Sequence, residues 1–165
     1  MNVPSDSPRN DEPIWLTSKW VDWVQHLLNS HERFVGQSLL PRTEPAKDGR
    51  CLFEANFVTV SHGTESDPLL NYGNRAALRL WQMKLYQFVG TPSRKTAEPV
   101  HRDERSELLR RTKEHGFIDD YSGIRISSTG QRFRIHRATV WNIVDQQNRH
   151  IGQAAAFSEW TMLSE

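Results

Sequence analysis

The chain has 165 residues, which is long enough for one domain with an extension but too short for a sensory domain and a catalytic output domain together. Its 21 Lys and Arg residues almost balance 20 Asp and Glu residues, and the formal charge of +1 gives no global reason to expect nucleic acid as a partner. The single cysteine, Cys51, excludes an internal disulfide and a zinc site made of several cysteines.

Residues 1–12 predict a flexible tail, because they are polar and interrupted by proline. They lack the apolar core of a signal peptide. No apolar run in the chain approaches the roughly 20 residues that span a bilayer. We therefore expect a soluble, cytoplasmic protein without a membrane partner.

A helical extension and a loop are predicted over residues 13–50. The first helix begins near Ile14 and has one apolar stripe at helical spacing, formed by Leu16, Trp20, Trp23, Val24, Leu27 and Leu28. A second helical piece over 30–40 is interrupted by Gly36, and prolines predict a loop over 41–50. Two interpretations of the stripe stay open. It packs on its own domain, or its residues from Leu16 to Leu27 pair with a second copy or a regulatory partner.

The stretch 57–81 predicts a strand, a turn, a second strand and the start of a helix. Residues 57–60 are β-branched or aromatic, and the turn residues Asp67 and Pro68 precede a short return strand over 69–72. Asn74 is placed to cap a helix whose apolar side chains repeat at three- and four-residue intervals up to Phe88.

The second half of the chain predicts short helical turns, a charged helix that ends at Gly116, three strands and a tail. In order, these elements cover 91–99, 100–115, 117–127, 132–144, 150–157 and 159–165. Strict alternation places Phe133, Ile135, Trp141 and Ile143 on one face of their strand. Helices, two strands, helices and a three-stranded meander together indicate an α+β fold.

Five segments of the chain stand out as longer motifs. They are S-H-G-T-E-S-D-P (61–68), N-Y-G-N-R-A-A-L (71–78), P-S-R-K-T-A-E-P (92–99), F-I-D-D-Y-S-G-I-R-I-S-S-T-G (117–130) and G-Q-A-A-A-F (152–157). These segments resemble the MEKHLA family, a PAS-related domain of short bacterial and cyanobacterial proteins and of some plant homeodomain-zipper proteins. The resemblance covers about residues 12–158. It implies a PAS-like domain over 51–158, with a five-stranded antiparallel sheet, helices on one face, and the last strand central and paired with the first.

PAS domains hold a ligand or cofactor between the sheet and the helices, so the resemblance implies a cavity there. The candidate lining residues are the aromatic Trp81, Tyr121 and Trp141 and the small Ala154 and Ala156. Aromatic residues at such spacing are equally typical of an ordinary core, and small residues also admit a closely packed helix. The sequence does not choose between these alternatives.

No cofactor is identified by the sequence. Flavin photosensors of the light-oxygen-voltage type form an adduct through a cysteine in the helices after the second strand, whereas Cys51 precedes the first strand, so this adduct is not expected. Haem-binding PAS domains use a histidine on the helix before the third strand. His101 and His115 flank that helix at solvated positions, so haem is not expected either. The polar turn 61–67 has no recognised metal-ligand spacing.

Four arginines, Arg125, Arg132, Arg134 and Arg137, cluster on a predicted hairpin. They form either a solvated sheet face or a patch that binds an acidic partner or an anionic ligand.

We predict a non-catalytic PAS-like sensory or regulatory module that binds a small ligand or a protein partner, and that signals through dimerisation or partner contact. Nucleic acid is not an expected partner. The alternative is a small α+β enzyme with its active site in a helix–sheet pocket, built from His62 with Asp67 or Asp119.

Overall fold

The computed structural model describes residues 13–164, so the predicted flexible tail of residues 1–12 lies outside the described residues. The helices are α1 Ser18–Val35, α2 Pro45–Glu54, α3 Arg75–Trp81, α4 Leu85–Phe88 and α5 Arg102–His115. The strands are β1 Val58–His62, β2 Leu70–Gly73, β3 Phe117–Ile126, β4 Arg132–Val144, β5 His150–Phe157 and β6 Glu159–Met162. Short 3₁₀ turns lie at Ile14–Leu16, Ser93–Thr96 and Pro99–His101.

The strands form one antiparallel sheet in the order β2-β1-β5-β4-β3, with β6 paired to β4. β5 is central, since Ala155 lies opposite Val60 of β1 and opposite Val140 of β4. This arrangement confirms the predicted PAS-like antiparallel sheet, in which the last strand of the meander pairs with the first strand of the domain.

The structure differs from the prediction at the C-terminal end, where residues 159–165 are assigned to a tail. β6 continues β5 after a bend at Ser158 and pairs with β4, Phe133 lying opposite Met162. β4 has 13 residues and β5 has 8, so the first part of β4 would present an unpaired edge without β6. Trp160 of β6 also packs against the apolar core.

A bulge in β4 changes which side chains share a face. Tyr121 of β3 lies opposite Ala138, whereas Gly123 lies opposite Ile135, so β4 has one residue more than β3 between these pairs. Arg137 in this bulge adopts a left-handed φ of 50°. The predicted single alternation along β4 is therefore wrong beyond the bulge. Phe133, Ile135, Ala138 and Val140 share one face, and Trp141 and Ile143 lie on the other.

Helices cover both faces of the sheet. The inner face, covered by α3, α4 and α5, has Val58, Phe133, Ile135, Val140 and Phe157. The outer face is covered by α1, whose Trp20, Val24, Leu27 and Leu28 pack with Trp141, Ile143, Ala154 and Ala156. Trp141 donates a hydrogen bond from Nε1 to the carbonyl of Leu27 at 3.1 Å. The predicted N-terminal extension is thus part of the hydrophobic core.

The prediction of two helical pieces before residue 41 is wrong, because α1 is continuous through Ser30 to Val35. The Ser30 hydroxyl accepts a hydrogen bond from the amide of Val144 at 2.9 Å, so this polar residue binds β4 instead of interrupting the helix. Gly36 ends α1 with a left-handed φ of 84°, which glycine adopts without strain.

The predicted loop over 41–50 is also wrong, since α2 begins at Pro45. Proline is well tolerated at the first position of a helix, because its missing N–H would have no partner there. Asp48 in the first turn accepts hydrogen bonds from the amide of Thr43 at 2.8 Å and from Nε of Arg42 at 2.9 Å. These bonds hold the connection between α1 and α2.

The predicted cap at Asn74 is confirmed, and the helix after it is shorter than the apolar pattern indicates. Oδ1 of Asn74 accepts a hydrogen bond from the amide of Ala77 at 3.1 Å. α3 ends at Trp81 because Gln82 adopts a left-handed φ of 56°, and the chain re-enters helical geometry in α4. This break directs Trp81 and Phe88 to the same apolar cluster.

Candidate functional site

A cavity of about 70 Å³ lies between the inner face of the sheet and α5. Its apolar wall includes Trp81, Phe88, Leu108, Ile135 and Val140. Its polar wall includes His62, Ser93, Arg105, Tyr121, Arg125 and Gln153. At about 30 Å³ for each water molecule, the volume corresponds to roughly two waters. The cavity therefore has the size for a small molecule and offers it both apolar and polar contacts.

Arg105 enters the cavity because of its position on α5. Leu108 and Thr112 lie three and seven residues after it and are buried on the same face of the helix. The Arg105 residue is 6% exposed, and Nη2 donates a hydrogen bond to the hydroxyl of Ser93 at 2.7 Å. Burial lowers the pKa of Arg105 to about 10, and the positive charge of Arg125 acts in the same direction.

Tyr121 and Arg125 reach the cavity from β3, on either side of Gly123. Arg125 is 7% exposed, and its Nη1 donates to the carbonyl of Ile124 at 3.1 Å. Its guanidinium carbon lies 5.4 Å from the ring centroid of Tyr121. Gly123 is needed here because a Cβ would overlap the Tyr121 hydroxyl. Among the described residues, that buried hydroxyl has no hydrogen-bond partner.

His62 ends β1 and lines the same cavity. Its Nδ1 lies 2.8 Å from the carbonyl oxygen of Gly63, which requires Nδ1 to have the proton and makes Nε2 an acceptor. Nε2 is buried, and no residue within 13–164 donates to it. Burial lowers the pKa of His62, and the positive charge of Arg105 lowers it further. The hydrogen bond to Gly63 raises this pKa, but its effect is smaller than that of burial. The ring is therefore neutral near neutral pH.

We expect the protein to lose stability on acidification because of His62 and His31. Burial also lowers the pKa of His31, which packs edge-on against Trp141 with ring centroids 4.8 Å apart. Both rings are neutral in the fold, whereas the unfolded chain protonates them below about pH 6.5. The contribution of these two histidines to the free energy of unfolding is therefore fully present above that pH. Below it, the free energy of unfolding falls by up to about 1.4 kcal/mol per pH unit for each histidine.

Denaturant unfolding at about pH 7.5 and about pH 5 measures this loss. His62→Gln is expected to reduce the loss, whereas the same change at His115, which is exposed, is expected to leave it unchanged. An equal loss in the wild type and both variants would contradict the assignment to buried neutral histidines.

The structure separates the five predicted lining residues, which are Trp81, Tyr121, Trp141, Ala154 and Ala156. Trp81 and Tyr121 line the cavity. Ala154 also lines it, although it packs with the apolar residues on the outer face of the sheet. Trp141 and Ala156 lie on the outer face against α1, which corrects their prediction as lining residues. The bulge reverses the face of Trp141, and the alternation of β5 turns Ala155 inward in place of Ala156.

The predicted contact stripe is Leu16, Trp20, Trp23, Val24 and Leu27, and the chain uses most of it internally. Trp20, Val24 and Leu27 are buried against the outer face. Trp23 is half-buried and donates a hydrogen bond from Nε1 to the hydroxyl of Ser61 at 2.9 Å. Leu16 is 42% exposed. Trp20, Val24 and Leu27 therefore pack on their own domain, and the contact of this stripe with a second copy or a partner stays a prediction.

The side chains of the enzyme hypothesis do not converge. His62 lines the cavity, whereas Asp67 is exposed and forms an ion pair with Arg94 at 3.2 Å. Asp119 is exposed in an irregular part of β3. Neither carboxylate lines the cavity. In the described part of the chain, no group of three His, Cys, Asp or Glu side chains is arranged to hold a metal ion.

The four clustered arginines have separate roles. Arg125 enters the cavity, and Nη2 of Arg132 binds Glu98 at 2.9 Å. Arg134 is half-buried and Arg137 is exposed. The predicted site does not include Arg105, although its position three residues before Leu108 on the charged helix indicates that it shares the buried face.

The sequence matches the MEKHLA domain family over residues 21–162. The chain belongs to the MEKHLA domain family. No curated protein matches the chain. Across residues 13–164, no helix of this MEKHLA domain has the length and apolar character that crossing a bilayer requires.

Solved structures similar to this MEKHLA domain are PAS and light-oxygen-voltage domains. The PAS domain of a protein from Colwellia psychrerythraea is 12% identical with a TM-score of 0.60, over 71% of this chain and 94% of that chain. A light-oxygen-voltage domain studied with a flavin analogue is 17% identical with a TM-score of 0.56, over 71% and 84%. The light-oxygen-voltage protein of Rhodobacter sphaeroides is 9% identical with a TM-score of 0.56, over 69% and 63%. These likenesses show a PAS-like fold.

The residues of the cavity do not fit a flavin. Cys51 is exposed on α2 and does not line the cavity, so it cannot form an adduct with a flavin bound there. The cavity volume of about 70 Å³ is also well below the roughly 300–1,000 Å³ of pockets that hold such ligands. His101 and His115, the histidines considered for haem, do not line the cavity either.

Proposed function

We propose that this MEKHLA domain is a sensory or regulatory module that binds a small molecule in the cavity beneath α5. The module passes the bound state on through contact with another protein or a second copy. A PAS-like fold supports this role, because it belongs to domains that sense signals and are generally not enzymes.

The observation that supports ligand binding most is the set of buried polar atoms in the cavity. Nε2 of His62 and the hydroxyl of Tyr121 have no partner among the described residues. Each unsatisfied buried group costs about 1–3 kcal/mol. Among residues 13–164, buried polar atoms without a partner also occur away from the cavity, at Trp20, Thr59 and Tyr72, so the support comes from these two atoms, which belong to residues that line it. A ligand that bonds to them recovers this cost as binding free energy.

α5 is the element that a ligand would affect first. Gln153 lines the cavity and donates hydrogen bonds from Nε2 to the carbonyl of Leu109 at 3.0 Å and to Oδ1 of Asn142 at 3.1 Å. Asn142 in turn donates to the carbonyl of Lys113 at 3.2 Å. A ligand next to Arg105 and Gln153 therefore touches the contacts that hold α5 on the sheet. A change in the position of α5 would reach the exposed charged side of this helix, where a partner could bind it.

Native mass spectrometry of freshly purified protein tests this proposal, and we expect a bound small molecule. Ala155→Leu adds a larger side chain inside the cavity and is expected to abolish the bound mass. Ala46→Leu makes the same change at an exposed position of α2 and is expected to keep it. Light scattering on both forms reports whether the ligand changes the oligomeric state. Two results together would contradict ligand sensing. They are the absence of a bound small molecule in the mass spectrum and the absence of any increase in thermal stability when small metabolites are added.

A further inference from the structure

Two arginines are buried beneath α5, and the part of the chain that the structure describes gives neither an acidic partner. Arg105 is 6% exposed and Arg125 is 7% exposed, and both line the cavity. Within residues 13–164, no carboxylate lies at ion-pair distance from either guanidinium. Buried arginines are normally paired with an acid, because a buried charge without a counter-ion is costly. Residues 13–164 thus supply the two cations of a site and no anion for it.

Most donors of the two guanidinium groups have no acceptor among the described residues. Each guanidinium has five N–H donors. The hydrogen bonds that the described residues offer are those from Arg105 to the Ser93 hydroxyl and from Arg125 to the carbonyl of Ile124. The negative charge of Asp67 raises the pKa of Arg105, but Asp67 forms its own ion pair with Arg94 at 3.2 Å. Donors remain free on both side chains for a planar, bidentate acceptor.

The positive charges of Arg105 and Arg125 repel each other. Burial and the charge of Arg125 together lower the pKa of Arg105 to about 10. An anion between the two groups would replace this repulsion with two attractions in a medium of low dielectric constant.

The other wall of the cavity indicates an organic anion. Leu108, Ile135 and Val140 form part of this wall and offer no hydrogen bonds. An inorganic phosphate or sulfate would direct oxygen atoms at these side chains, which costs free energy. A short carbon chain instead packs on them, and the small volume limits it to a few atoms.

We propose that the cavity binds a short organic carboxylate, whose carboxylate group is shared by Arg105 and Arg125 and whose carbon chain packs on Leu108 and Ile135. This inference rests on the proposed function, because it names the ligand class of the same cavity. His62 and Tyr121 provide additional polar contacts for a hydroxyl group on the ligand.

The test is calorimetric titration with matched acids and amides. Propionate and lactate are compared with propionamide and lactamide, which have nearly the same shape without the charge. We expect binding of the acids to the wild-type protein and no measurable binding of the amides. Arg105→Gln and Arg125→Gln are each expected to weaken acid binding by about 10- to 100-fold, the effect of losing a charge-assisted hydrogen bond. Arg111→Gln, on the exposed side of α5, is expected to bind the acids like the wild type.

Each other outcome has a defined meaning. Equal binding of acids and amides overturns the anion site and leaves the proposed sensing of a small molecule intact. Binding of phosphate or sulfate in place of the organic acids overturns the choice of a carboxylate. If none of these probes binds, the anion site is overturned, and if native mass spectrometry also shows no bound molecule, the proposed function is overturned as well. Arg105→Lys retains the charge, so it remains informative if Arg105→Gln does not fold.

Discussion

Replacing Asn74 with Asp is expected to lower the free energy of unfolding by about 3 kcal/mol or more, although the two side chains have nearly the same shape. Asn74 is fully buried. Its Oδ1 accepts hydrogen bonds from the amides of Thr59 and Ala77, both at 3.1 Å. Its Nδ2 donates to the carbonyls of Leu52 at 3.0 Å and Phe57 at 2.8 Å. Aspartate keeps the two acceptor contacts but places a carboxylate oxygen against two carbonyl oxygens.

This substitution separates two roles of Asn74. Aspartate caps helices as well as asparagine does, so a role limited to capping α3 predicts almost no change. A role in joining α2, β1 and α3 predicts the large loss. Asn74→Ala removes all four bonds and is expected to cost about 3–4 kcal/mol. Chemical denaturation measures both variants against Asn56→Asp, an exposed control. Wild-type stability of Asn74→Asp would show that the bonds to Leu52 and Phe57 are unimportant.

Replacing Arg105 with Met is expected to raise the free energy of unfolding in the absence of ligand by about 2 kcal/mol. The fold disfavours the charged form of Arg105, since burial and the charge of Arg125 lower its pKa to about 10. Methionine fills similar space on the apolar side of α5 without a charge. Binding sites are commonly less stable than an apolar core would be, so this gain indicates a residue kept for a ligand.

Arg42 is the matched control, because its surroundings are the opposite. It binds Asp48 at 2.9 Å and Glu32 at 2.8 Å, and Asp48 is 1% exposed. Arg42→Met leaves the buried carboxylate of Asp48 without its cation and is expected to cost about 2–3 kcal/mol. Denaturant titration of both variants should therefore give changes of opposite sign. A loss of stability in Arg105→Met as large as that in Arg42→Met would mean that Arg105 has a structural role.

Local sequence patterns predicted the elements whose causes are local. Asn74 was identified as a helix cap because its side chain bonds to an amide only three residues away. The strands β1, β4 and β5 were predicted from short runs of β-branched and apolar residues. The apolar stripe near the N-terminus predicted that α1 buries one of its faces. The sequence did not indicate that this face packs on the outer face of the sheet.

The motifs indicated the family, and the resemblance to that family implied the PAS-like strand order and an interior between helices and sheet, whereas the periods of helices and strands indicated the individual elements. Which side chains reach the cavity depends on the register of the sheet and on how the helices pack against it. The bulge at Arg137 reverses the inward face of β4 and moves Trp141 to the outer face. Arg105 and Arg125 are twenty residues apart, on a helix and a strand, and they meet because α5 packs on β3. A bulge and a meeting of distant side chains depend on the register and packing of the whole sheet, which no local pattern contains.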